Sequence, residues 1–264
     1  MRPQKHLNLE LESDYNMKQL LYTVLTLMFF SCDKEDAWGC IQAAGAPETQ
    51  VFNVDAFDKI LVNRDIELVV KQGLDYKVEI QTGHNLLNNI EIDVIDSQLQ
   101  LSDTNSCNYV RDFGLTKMIV TTPSLKEIRS STQYSTSSDG VLTFEDLQLI
   151  SENYNSGYLN LGDFNMEINS QSLKVVANGL SVFTISGLTE TLSVGFYAGL
   201  CEFKGANLTA QHVTVFQRSS HDITVNPQQS LTVDIRSVGD VISIHRPPIV
   251  ELEQYYSGQL LFLD

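Results

Sequence analysis

Residues 173–187 read Leu-Lys-Val-Val-Ala-Asn-Gly-Leu-Ser-Val-Phe-Thr-Ile-Ser-Gly, two apolar segments separated by a polar stretch that contains Asn and Gly. The pattern occurs in five copies, which begin at Leu147, Leu173, Leu192, Val213 and Leu231. Successive copies start 26, 19, 21 and 18 residues apart. Apolar and polar side chains alternate within each segment, as in β-strands with one buried face. A period of about 20 residues built from strand pairs predicts the stacked coils of a β-solenoid.

The alternation also predicts which side chains point inward. Two columns are expected: Leu147, Leu173, Leu192, Val213 and Leu231, and beside them Leu149, Val175, Val194, Val215 and Val233. Coils stacked about 4.8 Å apart would pool these side chains into one core, and burying each contributes about 1.5–3 kcal/mol. Gly162, Gly187 and Gly205 follow the second segments, where we expect sharp turns with positive φ.

The region before the repeats is also β-structure. Strand patterns alternate cleanly between residues 51 and 122, and Asp96-Ser97-Gln98 predicts a hairpin. No stretch beyond the first 31 residues shows a sustained 3.6-residue period. The sequence therefore predicts an all-β protein with one domain over residues 51–264.

The N-terminus predicts export. Met17-Lys18 precedes an apolar run of 11 residues, Leu20–Phe30, and then Ser31-Cys32. This order is typical of a secretory signal, and the run is shorter than the roughly 20 residues that span a bilayer. It resembles a bacterial lipoprotein signal, which implies lipidation of Cys32 and anchoring to the outer membrane. An ordinary signal with a free Cys32 is the alternative.

These features divide the N-terminal region into three expected segments. Residues 1–16 are interpreted as an upstream start assigned in error, 17–31 as the lipoprotein signal and 32–50 as a tether. Within the tether, Asp33-Lys34-Glu35-Asp36 resembles the surface-export tag of Bacteroidetes-type lipoproteins, although a merely solvated tether explains it equally well. The sequence alone leaves periplasmic and outward-facing locations both open.

The chain is strongly acidic. Its formal charge is -16, and removal of residues 1–31 would not change this value because that segment holds three acids and three bases. Nucleic acid and anionic lipid are disfavoured as partners, since both would be repelled. An exported protein gains solubility from such a charge, which is the default explanation.

The cysteines agree with an oxidising compartment. Cys40 and Cys107 lie in irregular segments, and we predict a disulfide between them; two unpaired thiols are the alternative. Cys201 alternates with Glu202 and is expected to be a buried free thiol. Metal-type cysteine spacing is absent from the sequence, and no cofactor is predicted.

A set of short motifs resembles the family called putative auto-transporter adhesin, head GIN domain. The motifs, in order, are Phe57–Ile60, Lys71–Gly73, Val78–Ile80, Asn85–Ile90, Asp96–Leu101, Cys107–Arg111 and Pro123–Ile128. The resemblance covers roughly residues 50–264. It implies a single-stranded right-handed β-helix (β-solenoid) at the cell surface, and it implies no catalytic residues.

Few residues point to chemistry. His212 and His221 with Asp222 are candidates for a metal or catalytic group, and two surface histidines are the simpler interpretation. Arg218, Arg236 and Arg246 fall in three consecutive repeats and could share a face, although solubilising charges explain them as well. A carbohydrate-stacking strip is a further hypothesis, with core or corner packing as its alternative; its candidates are Tyr154, Tyr158, Tyr197, Phe164, Phe183 and Phe196.

The acids of the repeats, Asp163, Glu167, Glu190 and Glu202, do not recur at one register, so no carboxylate ladder is expected. Catalytic and phosphate-binding motifs are absent from the sequence. We therefore expect a non-catalytic envelope lipoprotein whose regular face binds a polysaccharide or a surface protein. A polysaccharide-active enzyme, lyase-like or hydrolase-like, is the alternative, because fold alone does not imply function.

Overall fold

The computed structural model describes residues 39–105, 108–153 and 159–263, together with Gln19 and Gly157. These residues form 17 strands that belong to a single sheet, and two short 3₁₀ helices, Gly39–Ile41 and His84–Asn89. The strands are β1 Pro47–Asn53, β2 Lys59–Val62, β3 Ile66–Gln72, β4 Lys77–Gly83, β5 Ile90–Ile95, β6 Gln98–Asp103, β7 Thr116–Thr122, β8 Glu127–Ser130, β9 Thr136–Leu142, β10 Asp146–Ser151, β11 Phe164–Ala177, β12 Val182–Phe196, β13 Glu202–Gln217, β14 Ile223–Ile235, β15 Val241–Ser243, β16 Ile249–Gln254 and β17 Leu260–Phe262. No helix in this part of the chain is long and apolar enough to cross a membrane.

The protein is all-β as predicted, but the single-stranded right-handed β-helix predicted for residues 51–264 is wrong. The sheet is an open, curled half-barrel in which parallel and antiparallel strand pairs are mixed. Two structural features that the repeat pattern does not show account for the error. Residues 188–191, between the second segment of one copy and the first segment of the next, continue β12 without a break. In the first half, strands pair with partners at irregular distances along the chain and in both directions.

The first half of the sheet is where the pairing is mixed. β4 pairs antiparallel with both β1 and β7, and β5 pairs antiparallel with β6. β2 instead lies parallel between β6 and β8, and β3 lies parallel between β7 and β9. The predicted hairpin is confirmed, since Ile95 and Gln98 pair across a two-residue loop in which Asp96 and Ser97 both have positive φ.

The second half is built from long strands that must curl. β12 contains 15 residues, which would extend about 50 Å if straight. Residues 197–201 then lead to β13, and five residues span at most about 18 Å. Because Val182 pairs with Glu202, the end of β12 has to return close to its own beginning. The strand therefore bends, and its inner face encloses the core.

The predicted inward columns are confirmed. Parallel pairing aligns Leu147, Leu173, Leu192, Val213 and Leu231 in one row and Leu149, Val175, Val194, Val215 and Val233 in the next. Every one of these side chains is buried. The two rows belong to one continuous apolar core that also contains Phe164, Phe183, Phe196 and Phe203.

The glycine prediction is right at one of three positions. Gly187 has a φ of 112°, and a Cβ there would lie 2.1 Å from the carbonyl oxygen of Ile168, so only glycine fits this bend of β12. Gly162 and Gly205 have no positive φ. They are required by close approach instead, since a Cβ would meet the Tyr134 carbonyl oxygen at 2.2 Å and the Phe203 ring at 2.3 Å, respectively.

The inward and outward positions of β12 can be tested with two adjacent substitutions. Val194→Asp places a carboxylate at a site that is 1 % exposed, and the structure offers it no polar partner in the inward column. We expect a loss of at least about 3 kcal/mol in the free energy of unfolding, measured by urea denaturation.

Ser193→Asp is the matched control. Ser193 pairs with Lys174 and Thr214 on the outer face, so the new carboxylate would remain in solvent beside a lysine. The free energy of unfolding should change by less than about 0.5 kcal/mol. If Ser193→Asp were the damaging change and Val194→Asp the harmless one, the register described above would be wrong.

Candidate functional site

The most distinctive surface feature lies where four parallel strands end. Tyr197, Arg236 and Tyr255 each follow the last residue of a strand, β12, β14 and β16 respectively, and Phe216 is the penultimate residue of β13. Because these strands pair in register, their ends lie side by side and the four side chains share the outer face. We call Tyr197, Phe216, Arg236 and Tyr255 the aromatic–arginine strip.

Tyr197 and Phe216 form the first part of the strip. Their ring centroids are 5.1 Å apart with an angle of 31° between the ring planes. The Tyr197 ring lies over Gly195, where a Cβ would come within 3.0 Å of the ring atom Cε2. The absence of a side chain at Gly195 therefore lets the ring lie against the sheet, while 45 % of Tyr197 stays exposed.

Arg236 joins these rings to Tyr255. Its guanidinium carbon lies 6.0 Å from the Phe216 ring centroid and 4.3 Å from the Tyr255 ring centroid, which are cation–π distances. Its Nε donates to both carboxylate oxygens of Asp234, at 2.9 and 3.0 Å. The Tyr255 hydroxyl donates to Glu253 Oε2 at 2.9 Å. The Arg236 guanidinium and the Tyr255 hydroxyl are thus each bound to a carboxylate two residues earlier in the chain.

The two carboxylates shift the pKa values of the groups that they contact. The hydrogen bond to Asp234 raises the pKa of the Arg236 guanidinium. The hydrogen bond to the Glu253 carboxylate, together with the negative charge of that group, raises the pKa of the Tyr255 phenol. Both shifts favour the protonated forms, which are the Arg236 cation and the neutral Tyr255 phenol.

The hypothesised carbohydrate-stacking strip is present only in part, and its alternative, core packing, is confirmed for three of the candidates. Tyr197 is at the surface as the hypothesis requires, but Phe164, Phe183 and Phe196 are completely buried. Phe164 and Phe183 stack on each other inside the core, with centroids 4.7 Å apart and an interplanar angle of 11°. Tyr154 and Tyr158 lie outside the described residues.

Sequence reasoning missed Phe216 and Tyr255. The strand register brings both residues into the strip. Phe216 is paired with Asp234, and Tyr255 follows the last residue pair between β14 and β16. An aligned comparison of the positions just after each strand would have shown Tyr197, Arg218, Arg236 and Tyr255 as one column. The uneven spacing of the repeats hides that column in the sequence.

The three arginines do not all share one face. Arg218 and Arg236 occupy equivalent positions at the ends of neighbouring strands, because Gln217 pairs with Ile235 directly before them. Arg246 follows β15, which pairs with the first residues of β14, and its guanidinium lies 3.9 Å from the Phe262 ring centroid. The structure thus brings two of the three together.

The histidines and acids form no reactive group in the described part of the chain. His212 lies within β13 and its Nδ1 is 2.8 Å from the Ser230 hydroxyl, whereas His221 lies in the turn after β13. No cluster of three or more histidine, cysteine, aspartate or glutamate residues suited to a metal ion occurs among the residues described. Two of the repeat acids have separate structural uses, since Glu202 pairs with Lys204 at 3.2 Å and Asp163 accepts a hydrogen bond from the Val182 amide at 2.9 Å.

A second candidate is a cavity of about 320 Å³ beside the segment 108–116. Its polar groups are largely committed to one another. Asp103 accepts hydrogen bonds from Thr116 at 2.7 Å and from Asn105, and Arg111 donates to the Asn105 carbonyl at 2.9 Å. Arg111 also reaches the carbonyl of Gln42 at 3.3 Å, so this region ties the segment after Cys40 to the sheet.

The third candidate is a shallow polar groove of about 530 Å³ at the bend of the long strands. Hydroxyl, amide and carboxylate side chains line it, including Gln171, Thr189, Glu190 and Gln211. No aromatic side chain lines this groove. It can offer hydrogen bonds to a ligand but no flat apolar surface.

The cysteines are described in part. Cys40 is disulfide-bonded, and the Tyr109 amide donates to its carbonyl oxygen at 2.9 Å. Cys107 and Cys32 lie outside the described residues, so the predicted Cys40–Cys107 pairing and the lipidation of Cys32 stay predictions. Cys201 is free and buried, as expected, and burial raises the pKa of its thiol to about 11.

Several solved structures share this fold. A putative adhesin from Bacteroides fragilis NCTC 9343 is 21% identical with a TM-score of 0.75, and the match covers 84% of this chain and 99% of that chain. A putative lipid binding protein from Parabacteroides distasonis ATCC 8503 is 19% identical with a TM-score of 0.59, covering 83% and 98%. A putative adhesin from Parabacteroides merdae ATCC 43184 is 15% identical with a TM-score of 0.55, covering 83% and 97%.

At these identities the likeness shows the fold alone. No curated protein matches the chain. A family model matches residues 56–247, which is well over half of the sequence and includes the strands that carry most of the strip. The chain belongs to the family described as "Putative auto-transporter adhesin, head GIN domain".

Proposed function

We propose that this protein is a non-catalytic surface binding module that binds polysaccharide through the aromatic–arginine strip. The observation that carries the proposal is the continuity of Tyr197, Phe216, Arg236 and Tyr255 across four strand ends, with ring and guanidinium neighbours 4.3–6.0 Å apart. The family description and the two adhesin neighbours support a binding role rather than an enzymatic one.

The chemistry of the strip suits sugars. Tyr197 and Tyr255 are 45 % and 62 % exposed, so part of each ring is open to the apolar C–H face of a sugar ring. Asp234 and Glu253 provide carboxylate oxygens beside the rings, and Arg236 provides N–H donors. Sugar hydroxyls can use both kinds of group. Because the rings rest on a sheet, little conformational entropy is lost when a ligand binds.

A neutral or weakly charged glycan fits best. The chain carries a formal charge of -16, which would repel a strongly anionic polymer at a distance. Arg236, the cation of the strip, is already paired with Asp234. Retention should therefore depend more on the rings than on charge.

Removing the rings should weaken glycan retention. We expect Tyr197→Ala and Tyr255→Ala each to reduce affinity about tenfold for whichever polysaccharide retains the wild-type domain, measured by affinity electrophoresis over a panel of glycans. Tyr256→Ala is the matched control, because Tyr256 is exposed to the same 62 % but lies outside the strip. This variant should be retained like the wild type.

Two results would contradict the proposal. If every polysaccharide ran unretarded, or if the strip variants were retained as well as Tyr256→Ala, the strip would not be a glycan site, and a surface protein would become the candidate partner. Release of oligosaccharide products during incubation would instead support the enzymatic alternative. The affinity measurement and the product assay use the same purified domain.

We further propose that the module is a lipoprotein of the outer membrane. Residues 17–31 would be its signal, Cys32 its lipidated residue and 32–50 its tether, and residues 51–264 would form the binding domain. The first strand in fact begins somewhat earlier than residue 51, with β1 at Pro47. The disulfide of Cys40 would pair with Cys107, close to the Tyr109 amide that contacts Cys40. Such a loop would stabilise the fold by several kcal/mol, about 4 in the chain-entropy model.

Cysteine chemistry tests this second proposal. Cells labelled with an alkyne-tagged fatty acid should yield labelled protein, and Cys32→Ala should abolish the label. Peptide mapping without reduction should find Cys40 linked to Cys107 and Cys201 as a free thiol. Labelling that persists in Cys32→Ala, or a free Cys107, would contradict the anchor or the disulfide respectively.

A further inference from the structure

The sheet ends on strands that have a neighbour on one side only. β16 pairs with β14 and β17 pairs with β15, and neither strand has a second partner within the described residues. At the other end, β5 pairs only with β6 in the same part of the chain. A free edge presents unpaired N–H and C=O groups and is a template for another strand.

β16 also leaves the end of the core uncovered. Its pairing places Val250 next to Leu231 and Leu252 next to Val233, so both continue the inward columns. Leu231 and Val233 are 0 % and 1 % exposed, whereas Val250 and Leu252 are 37 % and 45 % exposed. The last row of the core is therefore open to solvent, and one more strand would cover it.

The free backbone groups of β16 can be assigned. The Tyr255 amide donates to the Ile235 carbonyl at 2.9 Å, toward β14. The amide N–H groups of successive residues in a strand point to opposite sides. The amides of Glu251 and Glu253 therefore also face β14, and those of Val250 and Leu252 face the open edge. The amides of Val250 and Leu252, whose apolar side chains point inward, can thus donate hydrogen bonds to an added strand.

The outer face of the edge is acidic. Glu251 and Glu253 alternate with Val250 and Leu252 and are exposed. The opposite free edge, β5, repeats this arrangement, with exposed Glu91 and Asp93 between its apolar residues. The edge strands β16 and β5 therefore both combine an apolar inner row with an outer row of carboxylates.

This charge pattern disfavours a second copy of the chain. Two copies could pair their β16 strands antiparallel with apolar residues opposite apolar residues. In the two registers of this kind with the greatest overlap, Glu251 lies opposite Glu251 or Glu253 of the other copy. Stacking β16 on β5 would bring Glu251 and Glu253 beside Glu91 and Asp93. The total charge of -16 adds to the repulsion in both cases.

We propose that the β16 edge binds an extended segment of a partner protein in which apolar residues alternate with Lys or Arg. The backbone of the segment would pair with the outward groups of Val250 and Leu252. Its apolar side chains would cover the exposed end of the core, and its basic side chains would lie opposite Glu251 and Glu253. This mode is strand addition with charge-selected specificity. It does not depend on glycan binding by the strip.

Synthetic peptides test the proposal directly. A fluorescein-labelled peptide with the sequence Val-Lys repeated over seven residues should raise its fluorescence anisotropy on binding the full chain. A Val-Glu peptide of the same length should bind at least about fivefold more weakly, because each cross-strand charge pair changes from attractive to repulsive. The double variant Glu251→Lys/Glu253→Lys should reverse this preference.

Two controls separate strand pairing from simple charge attraction. A Val-Lys peptide with N-methylated alternate amides keeps its charge but cannot pair, and it should fail to bind. Val250→Pro removes one outward N–H at an edge position that tolerates proline, and it should weaken binding with little change in melting temperature. If Val250→Pro unfolds, the comparison of the three peptides and the charge-swapped variant still test the proposal.

Equal binding of the N-methylated peptide, or an unchanged preference in the charge-swapped variant, would overturn the proposal in favour of non-specific attraction to an acidic protein. A complete lack of binding would overturn it as well. A concentration-dependent dimer in sedimentation that is lost in Val250→Pro would show that a second copy occupies the edge instead.

Discussion

Parallel pairing in register between β10, β11, β12, β13, β14 and β16 is the interaction on which the rest of the structure depends. Each strand places an inward Leu or Val directly beside the equivalent residue of its neighbours, as Val194 lies between Val175 and Val215. A slip of one residue would turn all of these side chains to solvent. Burial of the two columns therefore fixes the register, and register in turn determines every feature of the outer face.

The connections between the long strands add the second constraint. Residues 178–181 and 197–201 are too short to carry the chain back along a straight strand of 14 or 15 residues. The strands bend instead, at places where pairing shifts by extra residues and where Gly187 accepts a positive φ. The curled strands enclose the core on their inner face, and their ends lie side by side on the outer face. The aromatic–arginine strip and the acidic edge of β16 both follow from that alignment.

Local patterns predicted the buried residues well and the architecture poorly. Alternation identifies Leu192 and Val194 as inward whatever the fold, because it depends only on the two-residue period of a strand. Whether residues 188–191 form a gap or a bend depends on their neighbours in β11 and β13, which a single segment does not reveal. Mixed pairing in the first half, such as β4 between β1 and β7, has the same cause. The prediction therefore failed where the structure depends on pairing between segments that are far apart in the sequence.

The candidate site shows the same division. Tyr197 and Arg236 could be selected from the sequence because both follow apolar strand patterns. Phe216 could not, since its contacts depend on the number of residues in each bend, and Tyr255 is found only when the positions after the strands are aligned. Phe183 is buried, as the interpretation of core packing expected, because it lies in an alternating strand whose inward face is completely covered. A flat exposed ring and a buried ring are equally apolar in the sequence, and only the packing around them distinguishes one from the other.

Methyl NOE spectroscopy on a domain with labelled Ile, Leu and Val side chains tests the register most directly. The structure predicts strong NOEs that link Val175 to Val194, Val194 to Val215 and Val215 to Val233, with a parallel series through Leu173, Leu192, Val213 and Leu231. A spectrum in which Val194 showed its strongest NOEs to Val213 rather than to Val215 would place the strands two residues out of register. The alignment of the strip and of the β16 edge would then be lost with it.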